Sequence, residues 1–254
     1  MPNRREPFTK KMLYHWQRLA APAHPHSFEA ALFDWFVLGL YAGFRKSEWC
    51  QDTYQLRLNN RVALNVDGTS KAFVASDFTI CSSTESASTD GLRAHNLVKL
   101  KWRFQKNGDN GQVISFAHDP NDAEFSPVHA AQRILNRAKA LKVPDDMPLA
   151  VYAANPGQDS SFFSFIDHHS VELHLKRTAE AVYNFKSLTD LAKFTLHSLR
   201  VGACVLMHVN GADPLLIKAR LRWRSDSFMA YLRNTPRLAQ LHNILFNNPS
   251  VDTI

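Results

Sequence analysis

The sequence predicts a single α+β domain, with helices before and after a small antiparallel sheet. Apolar residues recur at helical spacing in the first 44 positions and again beyond residue 126. Between them, residues 61–118 break into short runs rich in β-branched and aromatic residues, separated by turn chemistry. At 254 residues the chain can bury a substantial core, and neither a repeat nor a clear linker divides it.

Residues 8–20 and 27–44 read as helices. The second carries Phe28, Leu32, Phe33, Phe36, Val37, Leu40 and Phe44 at helical spacing, and "HPHS" supplies a breaker and Ser27 as N-cap. "RVALNV", "AFVASDFTI", "NLVKLKWRF" and "QVISFAHD" read as strands; "CSSTESASTDG" (81–91) is a polar loop, and "KNGDNGQ" (106–112) a tight turn between two strands. Helical spacing returns at 126–142, opened by Ser126 and Pro127, and further helices are expected at 170–184, 196–210, 213–221 and 225–246.

The net charge of +7 and pI of about 9.4 favour a polyanionic partner, nucleic acid first. The surplus gathers late in the chain, where Lys218, Arg220, Arg222, Arg224, Arg233 and Arg237 face only Asp213 and Asp226. "MPNRREPFTKKM" is no secretory leader, and "ALFDWFVLGLYAGF" is too short to span a bilayer and contains Asp34, so a buried helix and no membrane partner are expected. Three scattered cysteines (Cys50, Cys81, Cys204) suit a reducing compartment. The expected location is the nucleus of a eukaryote, or otherwise the cytoplasm.

Four stretches carry side chains suited to chemistry. "LGLYAGFRKSEW" (38–49) places Arg45 just past Gly43 and Glu48 three residues on, a spacing that an ordinary surface ion pair shares. "KWRFQKNGDNG" puts Lys106 at a hairpin tip, a commonplace site for lysine. "FTLHSLRVGACVLMHVNGADPLL" (194–216) sets His197 and Arg200 on one face at a helix start, where backbone N–H groups and the helix dipole favour anions. "LRWRSDSFMAYL" adds Trp223 and Tyr231.

Taken together, these groups suit attack of a tyrosine on a phosphodiester. A free phenol has a pKa of about 10 and needs a base or cationic neighbours. Two guanidiniums can hold the non-bridging oxygens, and a lysine or histidine can protonate the leaving oxygen. Such chemistry requires no metal or other cofactor, and none is expected; the cluster Asp167, His168, His169, His174 fits no strong zinc spacing.

On these residues the chain resembles the tyrosine recombinases (phage integrase family) over roughly 8–245. "AGFRKSE" is similar to their first arginine box and "LHSLRVGACVLMHVNGADPLLIKARLRW…Y" to their second. The resemblance implies a mostly helical catalytic domain with a small antiparallel sheet, spanning 1–254. It implies site-specific cleavage and rejoining of double-stranded DNA through a 3′-phosphotyrosyl intermediate, on a tetramer. Arg45 and Arg200 would grip the phosphate, and His197 would be the acid/base. Trp223 would take the His/Trp position, Tyr231 would be the nucleophile, Glu48 the buttress, and Lys106 the acid for the leaving 5′-hydroxyl.

Lys46, Lys218, Arg220, Arg222 and Arg224 would contact backbone phosphates. "LRWRSDSFMAYLRN" resembles eukaryotic Crypton-like transposon recombinases, which would make this a mobile-element enzyme. The chain also departs from the pattern. Seven residues separate Trp223 from Tyr231, one fewer than the family spacing, and the long stretch before Lys106 lets Lys99 or Lys101 compete for its role. The family's N-terminal core-binding domain is expected to be absent, and 237–254, with its amphipathic helix, to dock on a neighbouring subunit. Two other outcomes stay open: a domesticated, inactive DNA-binding protein, and a type IB topoisomerase-like enzyme.

Overall fold

A computed structural model describes residues 5–52, 62, 64, 67–81, 97–105, 108–157, 162–232 and 240. Its central element is a helix with almost no polar face. Helix α2 (Phe28–Ala42) is capped by Ser27, whose Oγ accepts from the Ala30 N–H at 3.2 Å, and it ends at Gly43 in the left-handed region (φ 58°). Every residue from Ala31 to Leu40 is buried. A helix apolar on all sides must be covered on all sides. The cover comes from α1 (Lys10–Ala20), α4 (Pro127–Ala140), α7 (His197–Val209) and strand β4 (Val151–Ala153). Asp34, charged within this surround, is held by Arg133 Nε at 2.5 Å and Arg137 Nη2 at 2.6 Å, both from α4.

The expected sheet is present as β1 (Phe78–Cys81), β2 (Leu97–Lys101) and β3 (Val113–Ala117), antiparallel in that order. Alternation along β2 buries Val98 and Leu100 opposite Phe116 and Ile114, and leaves Lys99 and Lys101 exposed. The four-residue helix α3 (Lys46–Trp49) follows α2.

A second hairpin, β4 with β5 (Phe163–Phe165), was not expected from the sequence. It is stitched to the end of α3: Gln51 N–H donates to the Ile166 carbonyl and His168 N–H to that of Gln51, both at 3.0 Å. Helix α5 (His168–Tyr183) starts two residues before its expected boundary because Asp167 accepts from the His169 and Ser170 N–H groups. That capping accounts for the "DHHS" stretch. Helix α6 (Leu188–Leu191) leads into α7, and α8 (Pro214–Arg220) follows it. The helix expected at 225–246 begins instead as a 3₁₀ turn (Asp226–Phe228) that passes into α9 (Met229–Leu232). Lys106, most of 61–66, 82–91, and 237–254 apart from Gln240 lie outside the described residues.

Three buried clusters result among the described residues, the least of them Leu141, Val151 and Ala153, and the other two bear on the site. The larger includes Phe8, Trp16, Trp35, Phe36, Phe44, Trp49, Phe73, Trp102 and Leu199; the smaller joins Ala203, Cys204, Ile217, Leu221, Phe228 and Leu232. Helix α7 crosses from one to the other. It also lies tight under the N-terminal segment: a methyl at Gly202 would stand 2.1 Å from the Phe8 carbonyl oxygen. Among the described residues no helix is long and apolar enough to cross a membrane.

Candidate active site

Gly43 turns the chain out of α2 so that Arg45 stands at the start of α3, with Glu48 behind it. Glu48 is 2% exposed and fully engaged. Its Oε1 accepts from Arg45 Nη1 at 3.1 Å; its Oε2 accepts from the Arg45 N–H at 2.9 Å, Trp102 Nε1 at 3.2 Å and Arg222 Nη2 at 2.9 Å. The opposite wall is the first turn of α7. Arg200, 1% exposed, donates to the Gly43 carbonyl at 2.7 Å and the Arg222 carbonyl at 3.2 Å, and its guanidinium lies over the Trp223 ring at 4.4 Å. Arg45 Nη2 reaches the same Arg222 carbonyl, also at 3.2 Å. Two guanidiniums from distant parts of the chain therefore meet on one backbone oxygen.

His197 opens α7, and its Nε2 stands 3.2 Å from the Tyr231 hydroxyl. Tyr231 packs on the smaller cluster, with its ring 6.3 Å from Trp223. The short spacing between these two residues has a geometric counterpart. Three residues of 3₁₀ helix advance about 1.5 Å further than three of α-helix, the rise of one residue. Trp223 Nε1 is buried and has no partner among the described residues. Beside this group opens a cleft of about 680 Å³, lined by Arg5, Arg45, Lys46, Lys71, Arg200 and His197, with Glu172 the one acidic residue on its wall among the described residues.

No protein-family model and no curated protein matches this sequence. Solved structures do match it. The XerH site-specific recombinase bound to difH substrate, in a pre-cleavage complex, aligns with TM-score 0.50 and 12% identity over 94% of this chain and 54% of that one. The same recombinase on a palindromic difH substrate, post-cleavage, gives 0.52 and 11% over 95% and 53%. The Tn1549 transposon integrase with transposon right-end DNA gives 0.49 and 12%. The fold is that of a tyrosine-recombinase catalytic domain. The chain spans about half the length of the two XerH structures.

Within this fold the structure gathers Arg45, Glu48, His197, Arg200, Trp223 and Tyr231 at one place. Lys46 lines the cleft beside them. Lys106 lies outside the described residues; Lys99 and Lys101 stand on the exposed face of β2, and neither lines the cleft. The basic run divides. Arg224 is exposed and paired with Asp109 at 2.7 Å, and Lys218 with Asp226 at 2.7 Å. Arg220 is half-buried, donating to the Ser115 carbonyl over the Phe116 ring. Arg222 departs from its expected place on the surface: its side chain is 2% exposed and turned inward onto Glu48. Arg5 and Lys71 line the cleft without belonging to any motif, and Phe104 lines it from the "KWRFQKNGDNG" stretch. Tyr41 lies away from this group, lining a separate pocket with Asp119 and Asp122, and burial followed by those two charges raises its pKa.

The site holds positive charge at a cost. Burial, then Arg200, Arg5 and Arg45, depress the His197 pKa to about 4. Burial, then Arg45 and Arg222, bring Arg200 to about 9, with Glu48 opposing. At neutral pH the imidazole is therefore uncharged, and in the Nδ1–H tautomer Nε2 can accept the phenol proton. The unfolded chain, whose histidine titrates near 6.5, binds more protons than the folded one between pH 6.5 and 4. Stability should hold above pH 6.5 and fall as pH drops toward 4, by at most about 3 kcal/mol from this group. Denaturant melts of the parent and His197→Gln across that window check this, since the variant should lose that part of the slope.

Glu48 pairs with both Arg45 and Arg222. Glu48→Ala would leave the Arg222 guanidinium buried without its counter-charge, and the expected loss is about 3–5 kcal/mol. Chemical denaturation measures it; a loss under about 1 kcal/mol, the usual worth of an exposed pair, would contradict the assignment.

Proposed function

We propose that this chain is a site-specific DNA recombinase that breaks and rejoins strands through a covalent tyrosine intermediate. One observation carries the reading: the His197–Tyr231 contact at 3.2 Å stands beside two guanidiniums converging on one carbonyl. Tyr231 Oη attacks the phosphorus as its proton passes to His197 Nε2. The bond to the 5′-oxygen breaks, leaving a 3′-phosphotyrosyl ester and a 5′-hydroxyl. Arg45 and Arg200 hold the non-bridging oxygens, whose charge grows in the transition state, and the Trp223 N–H donates to the same phosphate.

An incoming phosphate also offsets the cations that depress His197, so its pKa rises in the complex and it becomes a better base. Lys106 protonates the leaving oxygen. Attack by a 5′-hydroxyl of a partner strand reverses the step. One phosphate ester is exchanged for another, so no nucleotide triphosphate is consumed.

The resemblance to transposon-type recombinases points to a mobile-element origin. The test uses nicked duplexes randomised around the nick, which lose the short cleaved strand and trap the ester. A DNA–protein adduct that survives denaturation supports the reading, and salt-dependent binding without any adduct would leave a DNA-binding protein. Sizing the protein–DNA complex separates a recombining tetramer from a monomer that only relaxes supercoils.

A further inference from the structure

Helix α8 ends in a Schellman turn: the Trp223 N–H donates to the Lys218 carbonyl at 2.9 Å and the Arg222 N–H to that of Ala219 at 3.3 Å, with Arg222 at φ 57°. That position usually goes to glycine, because a Cβ crowds the neighbouring carbonyl there. The other described non-glycine residues with positive φ, Lys142 and Asn184, are exposed; Arg222 is buried. An arginine kept in a strained and buried turn needs a reason.

We propose that Arg222 is a positioning residue for the phosphate grip, acting through both its carbonyl and its guanidinium. The proposal rests on the strand-cleavage reading of this site. The carbonyl receives Arg45 and Arg200 together, and so sets the spacing of two groups that repel each other. The guanidinium donates to the Ala42 carbonyl at 3.0 Å and to Glu48 Oε2 at 2.9 Å, and it stacks on Trp102 at 3.9 Å.

With Oε2 occupied, Glu48 takes the Arg45 side chain on Oε1 alone, at 3.1 Å. A carboxylate offered to an arginine otherwise closes a two-pronged pair. Without the Arg222 guanidinium, Arg45 is free to fold onto both oxygens of Glu48 and withdraw from the cleft. The site would also lose one of its three clustered guanidiniums. Arg222 does not line the cleft as Arg45 and Arg200 do, and its guanidinium is turned away onto the Ala42 carbonyl and Glu48.

Arg222→Gly is the informative change, because glycine keeps the left-handed turn and the carbonyl while removing the side chain that carries the guanidinium. Single-turnover cleavage of a duplex selected as above should slow by about 10²-fold, the scale of a misplaced reacting group, with duplex affinity unchanged. Arg222→Lys should recover part of the rate. Cleavage at the parental rate would overturn the proposal. So would a fall in duplex affinity that matches the fall in rate, which would mark a direct DNA contact.

Binding of inorganic orthophosphate, followed by calorimetry, reads the grip without chemistry. It should weaken about tenfold in the glycine variant, the effect of removing one unit charge roughly 10 Å away at an effective dielectric of about 20, and equal affinities would overturn the proposal. A parent chain that forms no adduct would sink the cleavage reading instead, and the phosphate measurement then decides on Arg222 alone.

Discussion

Tyr231→Phe is expected to bind duplex DNA as the parent does and to leave no covalent product. The phenyl ring keeps the packing on Trp223 and the smaller cluster, and the hydrogen bond to His197 that it gives up is worth about 1 kcal/mol. What disappears is the proposed nucleophile. Where a covalent nucleophile has been deleted from a serine protease, the rate fell on the order of 10⁶-fold, and a loss of that size leaves nothing on a denaturing gel. Adduct formed by the phenylalanine variant would mean that another group attacks.

Arg200→Ala should cut the cleavage rate by about 10³-fold or more. Losing a single hydrogen-bond donor to a developing oxyanion already costs about 10²–10³-fold, and Arg200 brings a charge as well. The change in stability should be much smaller. The Gly43 carbonyl loses its guanidinium donor, at about 1–3 kcal/mol, while removal of a buried charge relieves the repulsion from Arg45 and Arg222. Arg200→Lys should rescue little, because an ammonium cannot reach the Gly43 and Arg222 carbonyls and a phosphate at once. Single-turnover rates and denaturant melts on the same preparations separate the two effects.

The grouping of Arg45, His197, Arg200, Trp223 and Tyr231 was legible because each sits in a short motif whose spacing survives in space. Gly43 ends a helix and presents Arg45; His197 and Arg200 share one turn of α7; Tyr231 follows Trp223 at nearly the family's distance. The three-stranded sheet was legible for a similar reason, since β2 alternates buried and exposed residues over its whole length. The hairpin of β4 and β5 was not, because three residues per strand are too few to show a period.

Arg222 was misplaced for a deeper reason. In a run of arginines nothing local marks the one whose helix ends a residue earlier and turns its side chain inward; only Glu48, far away in sequence, makes that burial tolerable. Arg5 and Lys71 reach the cleft through tertiary packing and carry no motif at all. The separation of Trp223 from Tyr231 is a milder case. A count of residues misses that part of the interval is 3₁₀, so the expected uninterrupted helix at 225–246 was the wrong ruler for it.

The most direct measurement is to digest the trapped adduct with protease and identify the DNA-linked peptide by mass spectrometry. The account predicts a single attachment, a 3′-phosphate esterified to Tyr231. A 5′ linkage, attachment to Tyr41, Tyr183 or any other residue, or no adduct on any duplex would contradict it.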